Sequence, residues 1–339
     1  SRTRHDFSLY KTGTLTRRIA RRMTVTRSRN ASEYLKNLHR DSREVRTLFQ
    51  DLLIGVTNFF RDPDAFAYLK EQVLPHLIAR ENHGASLRVW VAGCATGEEA
   101  FSVAILLKEC MEENDVNREM QVFGTDIDAR AIEKARRGAY LQNIAADVSP
   151  ERLVRFFTKE GDRYRVKREI REPVVFAEQN VLRDPPFSDL DLLVCRNLLI
   201  YLKSEAQEKV IRLFHYTLKK GGVLFLGNSE TTGRFPDLFE PLSKSYSIFR
   251  KRDSVVRTHV QFPVGRATRL PQVEKTADGA EDRPNEQASL SEAVEHFLME
   301  DFTPACVLIN QSGDILYTHG RTGRFLELAP GKPNLNITD

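Results

Sequence analysis

The stretch VWVAGCATGEEAFSVAI, residues 89–105, decides how the chain is read. An apolar strand runs through a glycine turn into two adjacent glutamates and then an apolar run at helical spacing. Such turns ordinarily cradle phosphate. Yet Gly93-Cys94-Ala95-Thr96-Gly97-Glu98 is neither GxGxxG nor a loop ending in GK[ST]. A pyrophosphate at this helix start would face Glu98 and Glu99, which is electrostatically wrong. A ligand with an ammonium or sulfonium charge and no phosphate suits the turn instead. S-adenosylmethionine (SAM) carries both charges together with an adenosine.

The next strand extends this reading. FGTDID ends on Asp126 at a C-terminal strand tip, where open α/β sheets bind ligands and where a carboxylate can accept two ribose hydroxyls. Outward from there, strand and helix alternate. LRVWVA, QVFGT, DLLVC and GVLFLG read as strands. Residues 97–110, DARAIEKARRG (Asp128 as N-cap, Gly138 as stop) and 204–219 closed by Gly221 read as helices. This succession predicts an α/β, doubly wound parallel sheet with helices on both faces. After SPERLVRFF, the run RYRVKREIREPVVFAEQ predicts short antiparallel strands, a small β insertion over about 148–178, and YSIFRKR supplies a last strand. Residues 1–80 read as an all-helical front. TLTRRIARRM puts Leu15, Ile19 and Met23 on one stripe, and Asp62-Pro63 opens a later helix as N-cap and first position. Residues 81–252 are then the α/β domain and 253–288 a flexible linker poor in apolar residues. In 289–339 a short amphipathic helix precedes a strand, a Ser-Gly-Asp turn and a second strand.

At 339 residues, with 41% apolar and 29% charged residues, the chain predicts two or three soluble domains. No run of eighteen apolar residues and no apolar leader occur, so no direct membrane insertion is expected. Cys94, Cys110, Cys195 and Cys306 form no CxxC, and the eight histidines form no HxxxH. These patterns predict reduced thiols, a cytoplasmic protein and no metal site. The net charge of +4 hides a gradient, since residues 1–30 hold nine Lys and Arg against Asp6. Such an end predicts an acidic partner, and a solvated helix face explains it equally well.

RDPPF, residues 183–187, resembles the [DN]PP[YF] tetrapeptide of enzymes that methylate amines on nucleic acids. It precedes its strand instead of following it, so it reads as a loop. The strand tip is Arg196-Asn197, in CRNLLIY, which puts an arginine, an amide and Tyr201 near the reacting centre. A guanidinium serves an amine nucleophile poorly. It suits a carboxylate, which is ionised at pH 7 and needs no base.

Four segments together resemble the CheR chemoreceptor glutamate methyltransferases: TNFFRDP (57–63), WVAGCATGEEAFSVAI (90–105), FGTDID…KARRGAY (123–140), and CRNLLIYL (195–202) followed by GGVLFLGNSE. The resemblance covers about residues 5–252 and implies a SAM-dependent, Rossmann-like methyltransferase domain behind the helical front. It implies that Thr57, Arg61, Arg196 and Asn197 meet the methionine part of SAM. Glu98 would hold its amino end, beside the Gly93 turn. Asp126 would hold the ribose, Asn180 and Val181 would flank the adenine, and Tyr201 would lie near the methyl group. Arg61, Arg196 and Tyr201 are the expected catalytic residues, with Arg61 or Arg196 neutralising the substrate carboxylate and the other orienting SAM.

Arg17, Arg18, Arg21 and Arg22 would dock the acidic cytoplasmic coiled coil of a chemoreceptor. The tail resembles the start of a truncated PAS domain, as in multi-module relatives of this family, some with a methylesterase-like module upstream. Gly55 stands where the family often has Asn, which removes one polar contact to SAM. The run TKEGDRYRVKR is tight, whereas members that dock a receptor pentapeptide carry a glycine-rich extension there, so no pentapeptide docking is expected. Two rival readings are a nucleic-acid methyltransferase, disfavoured by the misplaced RDPPF so that no nucleic-acid partner is expected, and a non-catalytic SAM-binding sensor.

Overall fold

The structure, a computed structural model, describes residues 7–53, 55–80, 86–253, 306–309 and 315–319. The helical front holds α1 (Thr12–Val25), α2 (Ala31–Arg40) and α3 (Ser42–Leu52). Asn30 and Asp41 cap α2 and α3 by accepting from the Glu33 and Arg43 amides. The segment 55–62 leads into α4 (Pro63–Tyr68), a π-helical turn at Leu69–Val73 and α5 (Leu74–Ile78).

The α/β unit follows as β1 (Leu87–Ala92), α6 (Glu98–Glu113), β2 (Met120–Asp126), α7 (Ala129–Arg137), β3 (Ala139–Leu141), α8 (Pro150–Phe156), β4 (Phe157–Glu160), β5 (Arg163–Val166), α9 (Arg168–Arg171), β6 (Val174–Glu178), β7 (Leu190–Cys195), α10 (Ser204–Thr217), β8 (Leu218–Leu226), β9 (Phe239–Ser243) and β10 (Ile248–Lys251). The seven-stranded sheet has the order β6-β2-β1-β7-β8-β10-β9, with β10 antiparallel to both neighbours and the first five strands parallel. Chain order reverses between β1 and β7, so the crevice of a doubly wound sheet opens at the tips of those two strands.

Alternation along the strands divides the core between the two faces. Val89, Val91, Val122 and Val194 pack with α4–α6, whereas Trp90, Ala92, Leu193 and Cys195 pack with α10. Asp128 caps α7 through the Arg130 amide, and Gly138 ends it in the left-handed region at φ +57°, both as expected.

Three readings are corrected. VVFAE does not belong to the insertion. It is β6, the parallel edge strand beside β2, while the small antiparallel sheet is β3-β5-β4 and recruits Ala139–Leu141 from outside 148–178. Period-two alternation marks a half-buried strand but not which sheet accepts it. Gly221 does not stop α10, which ends at Thr217. Gly221 sits inside β8 at φ +65°, next to a register shift, where the Arg80 guanidinium donates to its carbonyl at 2.6 Å. The edge strand β9 went unread.

The tight turn of the insertion is a hairpin with Gly161 at φ +61°. In the second unit β11 (Cys306–Ile309) and β12 (Ile315–His319) pair antiparallel, as the two strands read there, while the Ser-Gly-Asp turn between them lies outside the described residues. The linker from residue 254 and the amphipathic helix after residue 289 lie outside the described residues. Among the described residues no helix is long and apolar enough to cross a membrane.

Candidate active site

The β1–α6 turn is bent by Gly93 (φ +76°), Ala95 (φ +46°) and Gly97 (φ +94°). A Cβ on Gly97 would lie 2.8 Å from the Ala135 Cβ, so glycine is required where α6 starts against α7. The Gly93 and Cys94 amides donate to the Thr125 carbonyl at 2.7 and 2.9 Å, tying the turn to β2. Asp126, at the tip of β2, accepts from the Ala95 amide through Oδ2 and from the Asp128 amide through Oδ1, both at 2.9 Å. These bonds aim the carboxylate and leave lone pairs for further donors. Burial pushes its pKa up, and the backbone amides pull it back.

Asp126 lines an open cavity with Gly93, Asn180, Val181, Asn197 and Tyr201. Six of the expected residues, from four strand ends and loops, thus line one cavity at the reversal of strand order. Asn180 is held by the RDPPF loop, whose Asp184 carboxylate accepts the Asn180 amide at 2.7 Å, while Phe187 stacks on Phe123 at 4.2 Å. RDPPF is therefore a scaffolding loop, as its position before β7 implied. Asn197 is left-handed at φ +58°. Glu230, which sequence reasoning passed over, pins it. That buried carboxylate accepts from the amides of Gly227 at 2.8 Å, Asn197 at 2.9 Å and Ile200 at 3.1 Å.

The wall opposite comes from the helical front through Tyr10, Thr14, Leu52 and Leu53, none of them anticipated, since nothing local marks a helical residue as facing another domain's crevice. Gly55 also lines the cavity, where a Cβ would meet only the Ala95 Cβ at 4.0 Å, so the wall has room in place of the family's asparagine.

Four expected contacts do not line this cavity: Thr57, Arg61, Glu98 and Arg196. The buried Glu98 accepts from the Thr96 hydroxyl at 2.6 Å, and burial pushes its pKa up. Thr57 and Arg61 ride a segment anchored by the buried Phe59 and Phe60, with the Phe60 amide donating to the Ser102 hydroxyl at 3.0 Å. Arg61 is half-exposed and donates to the Val56 carbonyl at 3.3 Å.

Arg196 is the main correction. Its side chain is 0% exposed and does not line the cavity. The guanidinium donates to Asp62 at 2.5 Å, Glu99 at 3.1 Å and the Arg61 carbonyl at 2.9 Å, between the rings of Phe66 and Phe225. Asp62 occupies the helix-cap position but makes no cap bond, because its carboxylate goes to Arg196. Arg196 therefore clamps the Arg61–Asp62 segment to the sheet instead of reaching into the crevice. Burial pushes the Glu99 pKa up, with Arg196 and then Arg61 opposing.

The basic helix divides as well. Leu15, Ile19 and Met23 are half-buried on one stripe, and Arg17 and Arg21 are exposed. Arg22 points inward as a fork on Glu44 at 3.0 and 2.6 Å, with Asp51 at 3.6 Å, and Arg18 is half-buried with Nε out of solvent. Arg22 is thus unavailable for docking, because its charge is neutralised within the helical front.

Among the described residues no Lys or Arg lines the cavity, whereas Asp126 and Asp128 do. That donor set fits SAM, which presents hydroxyls and positive charge, and does not fit a phosphate ligand.

Comparison with known proteins agrees. The model of the CheR methyltransferase SAM-binding domain matches residues 55–248, and that of the CheR all-alpha domain matches residues 1–53. An uncharacterized 104.1 kDa protein of Rhodobacter capsulatus is 39% identical over 98% of this chain, which spans only 34% of that protein. The putative methyltransferase Cher3 of Pseudomonas putida is 33% identical over 73% of this chain and 91% of its own length. Chemotaxis protein methyltransferase 1 of Pseudomonas aeruginosa is 36% identical over 57% of this chain and 72% of its own. Among solved structures, PKMT2 from Rickettsia typhi in complex with AdoHcy is 14% identical, covers 51% of this chain and 26% of its own, and has a TM-score of 0.30, too low to carry any argument. With both domain models matched in order and the cleft built at the strand reversal, the chain belongs to the CheR methyltransferase family, and its α/β part is that family's SAM-binding domain.

Proposed function

We propose that this chain transfers a methyl group from SAM to glutamate side chains on the acidic cytoplasmic coiled coil of a chemoreceptor, in chemotaxis-type adaptation. The observation that carries the reading is the anionic crevice at the β1/β7 reversal, walled on one side by the basic helical front. Asp126 would accept the ribose hydroxyls, Asn180 and Val181 would border the adenine, and Asn197 and Tyr201 would border the methionine end. SAM supplies an electrophilic methyl group on a positive sulfur. The attacking carboxylate is ionised at pH 7 and needs no general base, so the chain's contribution is alignment and exclusion of water. A new C–O bond forms as the C–S bond breaks, the electron pair stays on sulfur, and no proton moves. Arg61, half-exposed beside the buried clamp of Arg196, is the cation that would meet the incoming carboxylate. Arg17 and Arg21 meet the receptor's acidic face.

The test is transfer of radiolabelled methyl to receptor cytoplasmic fragments, followed by alkali. Label released as methanol identifies a carboxyl ester. Label that survives alkali refutes carboxyl transfer and favours an amine substrate.

A further inference from the structure

The chain segment before α1 lies alongside the loop that follows β7. Tyr10 pairs with Leu202 as an antiparallel bridge. The Lys11 amide donates to the Tyr201 carbonyl at 2.9 Å, and the Lys203 amide donates to the Leu9 carbonyl at 2.8 Å. A turn in which the Tyr10 amide donates to the Phe7 carbonyl at 2.9 Å holds the segment's other end. The Phe7 ring meets the rings of Tyr10 at 5.0 Å and Phe49 of α3 at 5.9 Å. Tyr10 itself lines the cavity that contains Asp126 and Tyr201. The segment is thus a strap across the cavity, joined to the loop carrying Asn197 and Tyr201 by two backbone hydrogen bonds.

We propose that Tyr10 is a further cofactor-contact residue, and that the Phe7–Lys11 strap opens and closes to admit the cofactor and release its demethylated product. The proposal rests on reading the cavity as the SAM site. Asp126 is an acceptor whose amide bonds already fix its orientation. Tyr10 is its complement. Burial, and after it the Asp126 carboxylate, push the phenol up to about 12, so it keeps its proton and remains a donor at any working pH. An acceptor and a neutral donor on opposite walls fit the hydroxyls and ring oxygen of a ribose. Two backbone hydrogen bonds belong to the low-free-energy end of local opening, where elements that gate ligands are found. The strap also runs directly into α1, so the segment that closes on the cofactor is continuous with the helix carrying Arg17 and Arg21.

The backbone permits a selective cut. Lys11 has φ −61° and Lys203 has φ −66°, both values that proline adopts. Both are N-cap positions, whose amides make the strap bonds and no helical bond. Leu202, at φ −92° and ψ 148°, is already in the conformation that precedes proline. Lys203→Pro therefore deletes one strap bond without straining the chain, and Lys11→Pro, at a φ that proline adopts, deletes the other.

The experiment measures S-adenosylhomocysteine affinity by calorimetry, its release rate by stopped flow, and amide hydrogen exchange at Lys11 and Lys203 with and without ligand. In wild type, ligand should slow exchange at both amides. Tyr10→Ala should weaken affinity about tenfold, the factor carried by one lost donor to the ribose. Each proline variant should release ligand about fivefold faster, the factor carried by one net hydrogen bond, with the melting temperature of ligand-free protein within a few degrees of wild type. Tight wild-type binding with affinity and release unchanged in all three variants overturns the strap and leaves the cleft reading standing. Absence of wild-type binding overturns both. If Tyr10→Ala fails to fold, the two proline variants decide the matter alone.

Discussion

Replacing Arg196 by Met tests the clamp. Methionine keeps an unbranched stem between Phe66 and Phe225 but removes the partner of Glu99, which is 7% exposed. Orphaning a buried charge costs about 3–5 kcal/mol in general. Protonation sets a lower ceiling here. A carboxyl with an ordinary pKa of 4.5 held neutral at pH 7 costs at most about 3.4 kcal/mol, at about 1.36 kcal/mol for each pH unit. At pH 5 the same ceiling is about 0.7 kcal/mol. Loss of the two cation–ring contacts adds about 1 kcal/mol that does not vary with pH.

The sign follows from burial. Without Arg196 the folded state holds the Glu99 proton more tightly than the unfolded state does, so the variant loses stability as pH rises above 4.5. The expected result is a cost of about 3–4 kcal/mol at pH 7 that shrinks by about 2 kcal/mol or more at pH 5. Adding Glu99→Gln should recover most of the difference at pH 7 and little at pH 5. Urea unfolding followed by Trp90, the chain's single tryptophan and fully buried, reads the sheet directly. An equal cost at both pH values, with no recovery by Glu99→Gln, would refute the clamp.

Glu230→Gln swaps one of the two oxygens that serve the Gly227, Asn197 and Ile200 amides for a donor. S-adenosylhomocysteine affinity should fall about tenfold while the fold survives, with Glu230→Asp recovering part of it, and wild-type affinity in Glu230→Gln would remove Glu230 from the positioning of Asn197. Reversing the exposed Arg17 and Arg21 to Glu should slow receptor methylation about tenfold and flatten its salt dependence without loss of stability. Arg22→Glu, placed against Glu44, should instead lower stability by about 3 kcal/mol in urea, and the opposite ordering of the two effects would overturn the assignment of inward and outward arginines.

What the sequence made legible is local. The glycine turn at 93–97, the caps of α7, the hairpin at Gly161 and the scaffolding nature of RDPPF all follow from residue type and neighbours in sequence. What it hid depends on distant partners. VVFAE has the same alternation whether it edges the large sheet or the small one. Gly221 ends a helix and bends a strand with equal ease. Arg22 and Arg21 are adjacent in a basic run, yet one helical step of about 100° sends one to Glu44 and leaves the other in water. Asp62 sits before a proline, where it reads as a cap, and its true partner lies 134 residues away.

The same distinction resolves the carboxylates of the β1–α6 turn. Three acids gather around it, two of them where a phosphate binder would have none, and the structure gives them separate partners. Glu99 is neutralised by Arg196, and that pairing carries the 57–63 segment to the strand tips. Glu98 holds the Thr96 hydroxyl inside the turn. Asp126 alone keeps its carboxylate on the cavity wall, with two amides fixing its aim. A pyrophosphate seated at this turn would lie within a few ångströms of Glu98 and Glu99 in a poorly screened crevice, whereas Asp126, at the tip of β2, suits the ribose of either ligand. A sulfonium ligand imposes no such exclusion, so the start of α6 is free to use its glutamates as internal struts. Selection against phosphate therefore comes from the same glutamates that hold the turn together, and removing the charge at Glu99 without Arg196 should restore stability while leaving the helix start unsuited to phosphate, since Glu98 remains.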